Sequence, residues 1–152
     1  MEEEKIYETQ RLDHLGIVSG ICKEIKLIET IDNYLPTKSE RKVSCGEATQ
    51  AMVLNALGLT GRALYLMPEY MKNKPIDLRI GEGLAAEDFN DDSLGRALDE
   101  LHQMGITKLF TVIASQAVEV FELETDYAHL DTSSFSVTGQ YDSDYAQAME
   151  QR

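Results

Sequence analysis

The sequence predicts a mainly α-helical protein that ends in a short β-hairpin. Three observations carry this prediction. Up to about residue 124, apolar residues recur at the three- and four-residue spacing of amphipathic helices. Serine, asparagine, glycine and proline stand where such helices begin and end. Beyond that point the sequence is rich in β-branched and aromatic residues, which is typical of short strands.

Length and composition are those of a protein with one core. The chain has 152 residues, of which 43% are hydrophobic and 27% charged, enough to bury a substantial apolar interior. It contains no run of about 18 apolar residues, which predicts no membrane-spanning helix and no membrane partner. The acidic, polar N-terminus does not resemble a secretory signal, so we expect a cytoplasmic protein.

Charge is strongly negative and unevenly distributed. The net charge is −13, and residues 119–152 contribute −7 of it, with eight acids against one base. Tight nonspecific binding to DNA requires basic surface that displaces counterions from phosphates. The overall charge therefore argues against that class of function, although residues 1–118 are only mildly acidic.

The first helices are predicted in residues 12–57. Residues 1–11 form a charged, frayed tail, and a helical N-terminal domain is predicted over residues 12–124. Its first apolar stripe breaks near Lys26 and ends at Pro36. Ser44, with Glu47 three residues later, has the spacing of a capping box and predicts the start of the next helix.

The second half of this domain contains three more predicted helices. A short one spans about residues 62–71, where Pro68 predicts a kink or an early end. Asn90 or one of the two aspartates after it caps the next helix, which Gly105 ends. The last helix, capped by Thr107, is so apolar that we expect it at the centre of the bundle.

Residues 125–152 are predicted to hold the hairpin. Two strands fit, at about residues 127–132 and 135–138. A single hairpin is not stable alone in water. It therefore either packs on the helices or opens a second domain of a longer protein.

Two groups of residues are candidates for function. Asp131 lies in an apolar strand pattern, where a carboxylate is either a ligand for Mg²⁺ or the cap of a turn. Lys38, Arg41 and Lys42 precede a capped helix, and Arg62 follows it. These bases either contact DNA phosphates or form a solvated linker.

Several segments taken together resemble one group of bacterial transposases. YLMPEY (residues 65–70), NDDSLGRALD (90–99) and HLDTSSFSV (129–137) are each weak signals. In combination they are similar to the N-terminal region of insertion-sequence group sixteen thirty-four, within the insertion-sequence-four-like DDE superfamily. The resemblance covers about residues 12–141.

This resemblance implies a helical domain that leads into a ribonuclease-H-like catalytic core. Asp131 matches the first catalytic aspartate, which holds Mg²⁺ for cleavage and transfer of transposon-end DNA. Such transposases supply a second aspartate and a glutamate from later segments, and this chain contains neither. One carboxylate cannot fix two magnesium ions, so we expect these 152 residues to be inactive alone.

Two alternatives stay open at this point. The chain could be a helical interaction module that pairs with itself or with a full-length transposase, through apolar residues such as Phe135, Val137 and Tyr141. It could also be an unrelated small enzyme that uses Asp131 or Cys45. No base, nucleophile and orienting group converge in the sequence to support that last hypothesis.

Overall fold

The computed structural model describes residues 9–10, 13–36, 40–58 and 63–127. Over these residues the fold is helical, as predicted, and contains no strand. The α-helices are α1 (Leu15–Glu24), α2 (Leu27–Tyr34), α3 (Cys45–Leu57), α4 (Met67–Met71), α5 (Ile76–Arg79), α6 (Asp91–Met104) and α7 (Ile106–Val120). Two short 3₁₀ helices span Leu64–Leu66 and Ala86–Phe89. The predicted hairpin and Asp131 lie outside the described residues.

The predicted break near Lys26 is confirmed. Lys26 has a left-handed backbone, with φ of 50°, and separates α1 from α2. This conformation turns the chain so that Cys22 of α1 and Leu27 and Ile31 of α2 enter the same core.

Helix α3 lies at the centre of the fold and packs against α1, α2 and α6. Its predicted capping box is confirmed: the Ser44 Oγ accepts from the Glu47 amide at 3.0 Å, and the Glu47 carboxylate accepts from the Ser44 amide at 2.8 Å. Ala48, Ala51 and Leu54 are fully buried on its inner face. Small side chains allow the neighbouring helices to approach closely.

The segment between α3 and α6 completes the core with short helices. Met67 and Met71 of α4 and Phe89 of the second 3₁₀ helix are fully buried. Pro68 occupies the first turn of α4, where its missing amide costs no hydrogen bond. It therefore begins a helix rather than kinking one.

The position of α7 corrects the sequence prediction. Its N-cap is Gly105, with φ of 97°, and not Thr107. The helix is not central: Leu109 is its one buried residue, while Phe110 is 68% exposed. The apolar residues of α7 do form an apolar face. The core formed by helices α1 to α6, however, is already filled by other side chains. No helix of the described part of the chain is long and apolar enough to cross a bilayer.

Candidate nucleic-acid interface

Two of the four predicted DNA-contacting residues lie at one cleft. Arg41 and Lys42 precede α3 and line a cleft of about 190 Å³ between the N-terminal ends of α3 and α6. Lys38, Arg62 and Asp131 fall outside the described residues.

Both helix ends at this cleft already have hydrogen-bond partners. At α3, the Gly46 amide donates to the Asp32 carboxylate at 2.7 Å, beside the capping box of Ser44. At α6, Asn90 Oδ1 accepts from the Ser93 amide at 3.0 Å, as the sequence predicts. The positive ends of the two helix dipoles raise the local electrostatic potential. Several of the backbone amides at these ends, however, already donate hydrogen bonds within the protein.

The two cations are held by carboxylates of the same chain. Arg41 Nη1 lies 2.7 Å from Glu100 Oε2, and the hydrogen bond to Glu100 raises the pKa of Arg41. Lys42 Nζ lies 2.6 Å from Asp88 Oδ2. Burial opposes ionisation of Asp88, but the bonds from Lys42 and the Ala85 amide outweigh it and hold the pKa of Asp88 below its ordinary value.

The two ion pairs differ in accessibility. The Lys42 side chain is 57% exposed and that of its partner Asp88 19% exposed, whereas those of Arg41 and Glu100 are each 22% exposed. Exposed pairs contribute about 0–1 kcal/mol to stability. Because Lys42 is the more exposed of the two cations, an incoming phosphate reaches it more readily than it reaches Arg41.

Sequence reasoning missed a third cation at the cleft. Arg96, on α6, lines the same cleft and has no ion pair among the described residues. It is 54 positions from Lys42 in the chain, so only the packing of α3 on α6 brings them together. The motif NDDSLGRALD contains Arg96, but nothing in it indicates proximity to Lys42.

Lys74 belongs to a separate network at the start of α1. Asp13 accepts from Lys74 Nζ at 2.7 Å and from Arg79 Nη2 at 3.3 Å. The Lys74 hydrogen bond is the main reason that the pKa of Asp13 is lowered. Arg79 is almost fully buried, and its carbonyl accepts from Ser19 Oγ and Gln50 Nε2. These ion pairs and hydrogen bonds link α5 to α1 and α3.

Neither cysteine has the surroundings of a nucleophile. Cys45 is buried at the start of α3, with its Sγ 3.7 Å from the Ala97 carbonyl oxygen. Burial, followed by the nearby Glu100 and Asp32 charges, raises the pKa of Cys45 to about 11. Burial also raises the pKa of Cys22. Both thiols are protonated at neutral pH, and reactive cysteines require the opposite shift.

The described residues hold no group of three His, Cys, Asp or Glu side chains placed to bind a metal ion. The Mg²⁺ site implied for Asp131 lies outside them. Within the described part of the chain, the cleft offers three cations, two helix N-termini and displaceable carboxylates. This set can hold an anion such as a phosphate group.

The fold and cleft define a small helical domain with a cleft lined by three cations and by the carboxylates of Glu40 and Asp88. Residues 7–115 match the protein family described as Domain of unknown function (DUF4277). Because the match spans more than half of the 152 residues, the chain belongs to this family. No curated protein and no solved structure matches the chain.

Proposed function

We propose that this chain is the N-terminal region of an insertion-sequence transposase and that its helical domain binds element-end DNA. The observation that supports the proposal most strongly is the HLDTSSFSV segment, residues 129–137, which follows the family match over residues 7–115. In the proposed assignment Asp131 is the first of three metal-binding carboxylates.

The DNA contact is assigned to the cleft between α3 and α6. A backbone phosphate enters beside Lys42, the more exposed of the two paired cations with a side chain 57% exposed, and displaces the Asp88 carboxylate. Arg96 contacts the neighbouring phosphate from the other wall. Arg41 keeps its bond to Glu100 and adds positive potential without direct contact.

Magnesium enters the proposal only through Asp131. When bound by a complete set of carboxylates, the metal would polarise the scissile phosphodiester. The 152 residues contribute one such carboxylate, and we propose that they bind DNA without cutting it.

Fluorescence anisotropy with a labelled duplex tests the phosphate contacts. The duplex carries the end sequence of the flanking locus, and salt is varied from low to moderate concentration. The Lys42→Ala variant is expected to bind about 3- to 10-fold more weakly at low salt, and its slope of log affinity against log salt falls by about one. Lys23→Ala, which removes an exposed lysine of α1, serves as the matched control and is expected to leave both quantities unchanged.

For a second variant we expect the affinity for DNA to change in the opposite direction. Asp88→Asn removes the negative charge that competes with DNA phosphate for Lys42. The asparagine keeps a side-chain oxygen that can accept from the Ala85 amide, which in the wild type donates to Asp88 at 2.7 Å. Affinity for DNA is expected to rise several-fold. If Asp88→Asn and Lys42→Ala both leave the affinity equal to that of the wild type, the cleft is not the DNA-binding surface.

A further inference from the structure

Helix α7 presents an exposed apolar stripe that the described residues do not cover. Ile106 is 62% exposed and Phe110 68%, and near the C-terminal end Val120 and Phe121 are 42% and 37% exposed. The inner side of the same helix is attached to the domain through the buried Leu109 and through Gln116, whose Oε1 accepts from Thr30 Oγ1 at 2.8 Å. The stripe therefore lies beside the attached side of the helix and reaches well into solvent.

The stripe has the spacing of a helix–helix seam. Its residues are Ile106, Phe110, Ile113, Ala117 and Val120, with successive steps of four, three, four and three. Ile113 and Ala117 are half-buried, and Ile113 also packs against the core of its own domain. This is the repeat with which two α-helices pack side chains between one another. A helix that needed only to cover its own domain would require one apolar side, and the apolar surface of α7 extends beyond that side.

We infer that this stripe is the contact surface between two copies of the chain, which pair through their α7 helices. The area fits a homodimer. From their exposed fractions, Ile106, Phe110 and Val120 of the stripe, together with Phe121 and Leu123 just beyond the end of α7, present about 500 Å² of apolar side chain. A standard dimer face buries about 800 Å² on each partner, of which about 65% is apolar.

Charge also favours a second copy at this helix. The chain carries a net charge of −13, so most of its surface repels another copy. Helix α7 has one lysine and one glutamate over its length, and Lys108 is directed toward Tyr34 of α2, 5.6 Å from the ring centroid. The stripe itself has no charged residue, but Glu119, Glu122 and Glu124 lie at its C-terminal end. Two copies therefore meet with the least repulsion at its N-terminal part, around Ile106 and Phe110.

The chain after α7 does not turn back over the stripe as far as the structure describes it. Glu122 has a left-handed backbone with φ of 49°, and residues 121–127 are all exposed. The inference is independent of the DNA-binding proposal, because the stripe and the cleft lie on different helices.

The mass of the full chain in solution tests the inference. Light scattering after gel filtration is expected to give twice 17.1 kDa at about 100 µM, since interfaces of this size bind with micromolar or better affinity. Phe110→Glu is expected to give a monomer with an unchanged helical spectrum, because Phe110 does not support the monomer core. Leu78→Glu, at a similarly exposed position on α5, is expected to remain dimeric.

Cross-linking locates the contact. Ala114, at the middle of α7 beside the stripe, approaches its own copy in either relative orientation of the two helices. Ala114→Cys is expected to form a covalent dimer on mild oxidation, whereas Ser115→Cys, about 100° further round the helix, is not. The native Cys22 and Cys45 are buried and do not interfere.

Three outcomes would overturn the inference. The first is a wild-type monomer at about 100 µM, which would mean that another segment or partner covers the stripe. The second is a dimer that survives Phe110→Glu. The third is equal cross-linking of Ala114→Cys and Ser115→Cys.

Discussion

Replacing Gly46 with alanine tests the central packing of the fold. Gly46 lies in the first turn of α3, where α2 crosses it closely. A Cβ atom at this position would lie 2.5 Å from the Ile28 carbonyl oxygen and 2.8 Å from the Ile28 Cα. Both are backbone atoms, so the clash is relieved only if α2 and α3 move apart.

The expected cost follows from two contacts. Overpacking against a fixed backbone costs about 1–3 kcal/mol. Separation of the helices also lengthens the 2.7 Å bond from the Gly46 amide to Asp32, which adds about 1 kcal/mol. The helix propensity of alanine offsets at most about 1 kcal/mol. With the full offset, Gly46→Ala should therefore destabilise the protein by about 1–3 kcal/mol, and Tm should fall by about 2–12 °C.

Gly95→Ala is the matched control. Gly95 lies inside α6, and no atom lies within 4 Å of the point that an added Cβ would occupy. The substitution should therefore stabilise the helix by about 0.5–1 kcal/mol. Thermal unfolding followed by circular dichroism measures both variants. Equal Tm values for Gly46→Ala and the wild type would refute the close approach of α2 and α3.

Three further predictions concern the cap and the titrating groups. Ser44→Ala removes the cap of α3 and should lower stability by about 1 kcal/mol, measured by urea unfolding; an unchanged midpoint would contradict the capping box. Because the pKa of Cys45 is raised to about 11, stability should fall by up to about 2–3 kcal/mol as pH rises from about 9 to 11, and unfolding of Cys45→Ala should show a shallower decline. Because the pKa of Asp13 is lowered, Asp13→Asn should be less stable than wild type at pH 7, by under about 1 kcal/mol. That difference should close as pH falls below 3.8, and a difference that is constant with pH would exclude the ion pair as its cause.

The sequence predicts helix boundaries well where residues within the same helical turn determine them. Ser44 and Glu47 cap α3, Asn90 caps α6 and Gly105 ends it, because these effects act within one helical turn. The break at Lys26 follows from the interruption of the apolar stripe.

Tertiary placement is not predictable in the same way. An apolar stripe indicates that a helix face avoids water, but it does not indicate which surface covers it. For this reason the sequence wrongly predicts a central α7, and α5 is not among the predicted helices. The packing of Arg96 beside Lys42, and the ion pairs from Arg41 to Glu100 and from Lys42 to Asp88, depend on contacts between distant segments. Asp131 remains a prediction from its sequence motif.

The proposed transposase function is tested most directly by a combined gel-shift and cleavage assay. The full chain is incubated with end DNA from the flanking locus and with a scrambled duplex, with and without Mg²⁺, at low and moderate salt. Our account predicts selective binding of the end DNA and no cutting. Absence of binding at low salt would contradict the assignment of the helical domain, and Mg²⁺-dependent cutting that is lost in Asp131→Ala would contradict the claim that these residues are inactive alone.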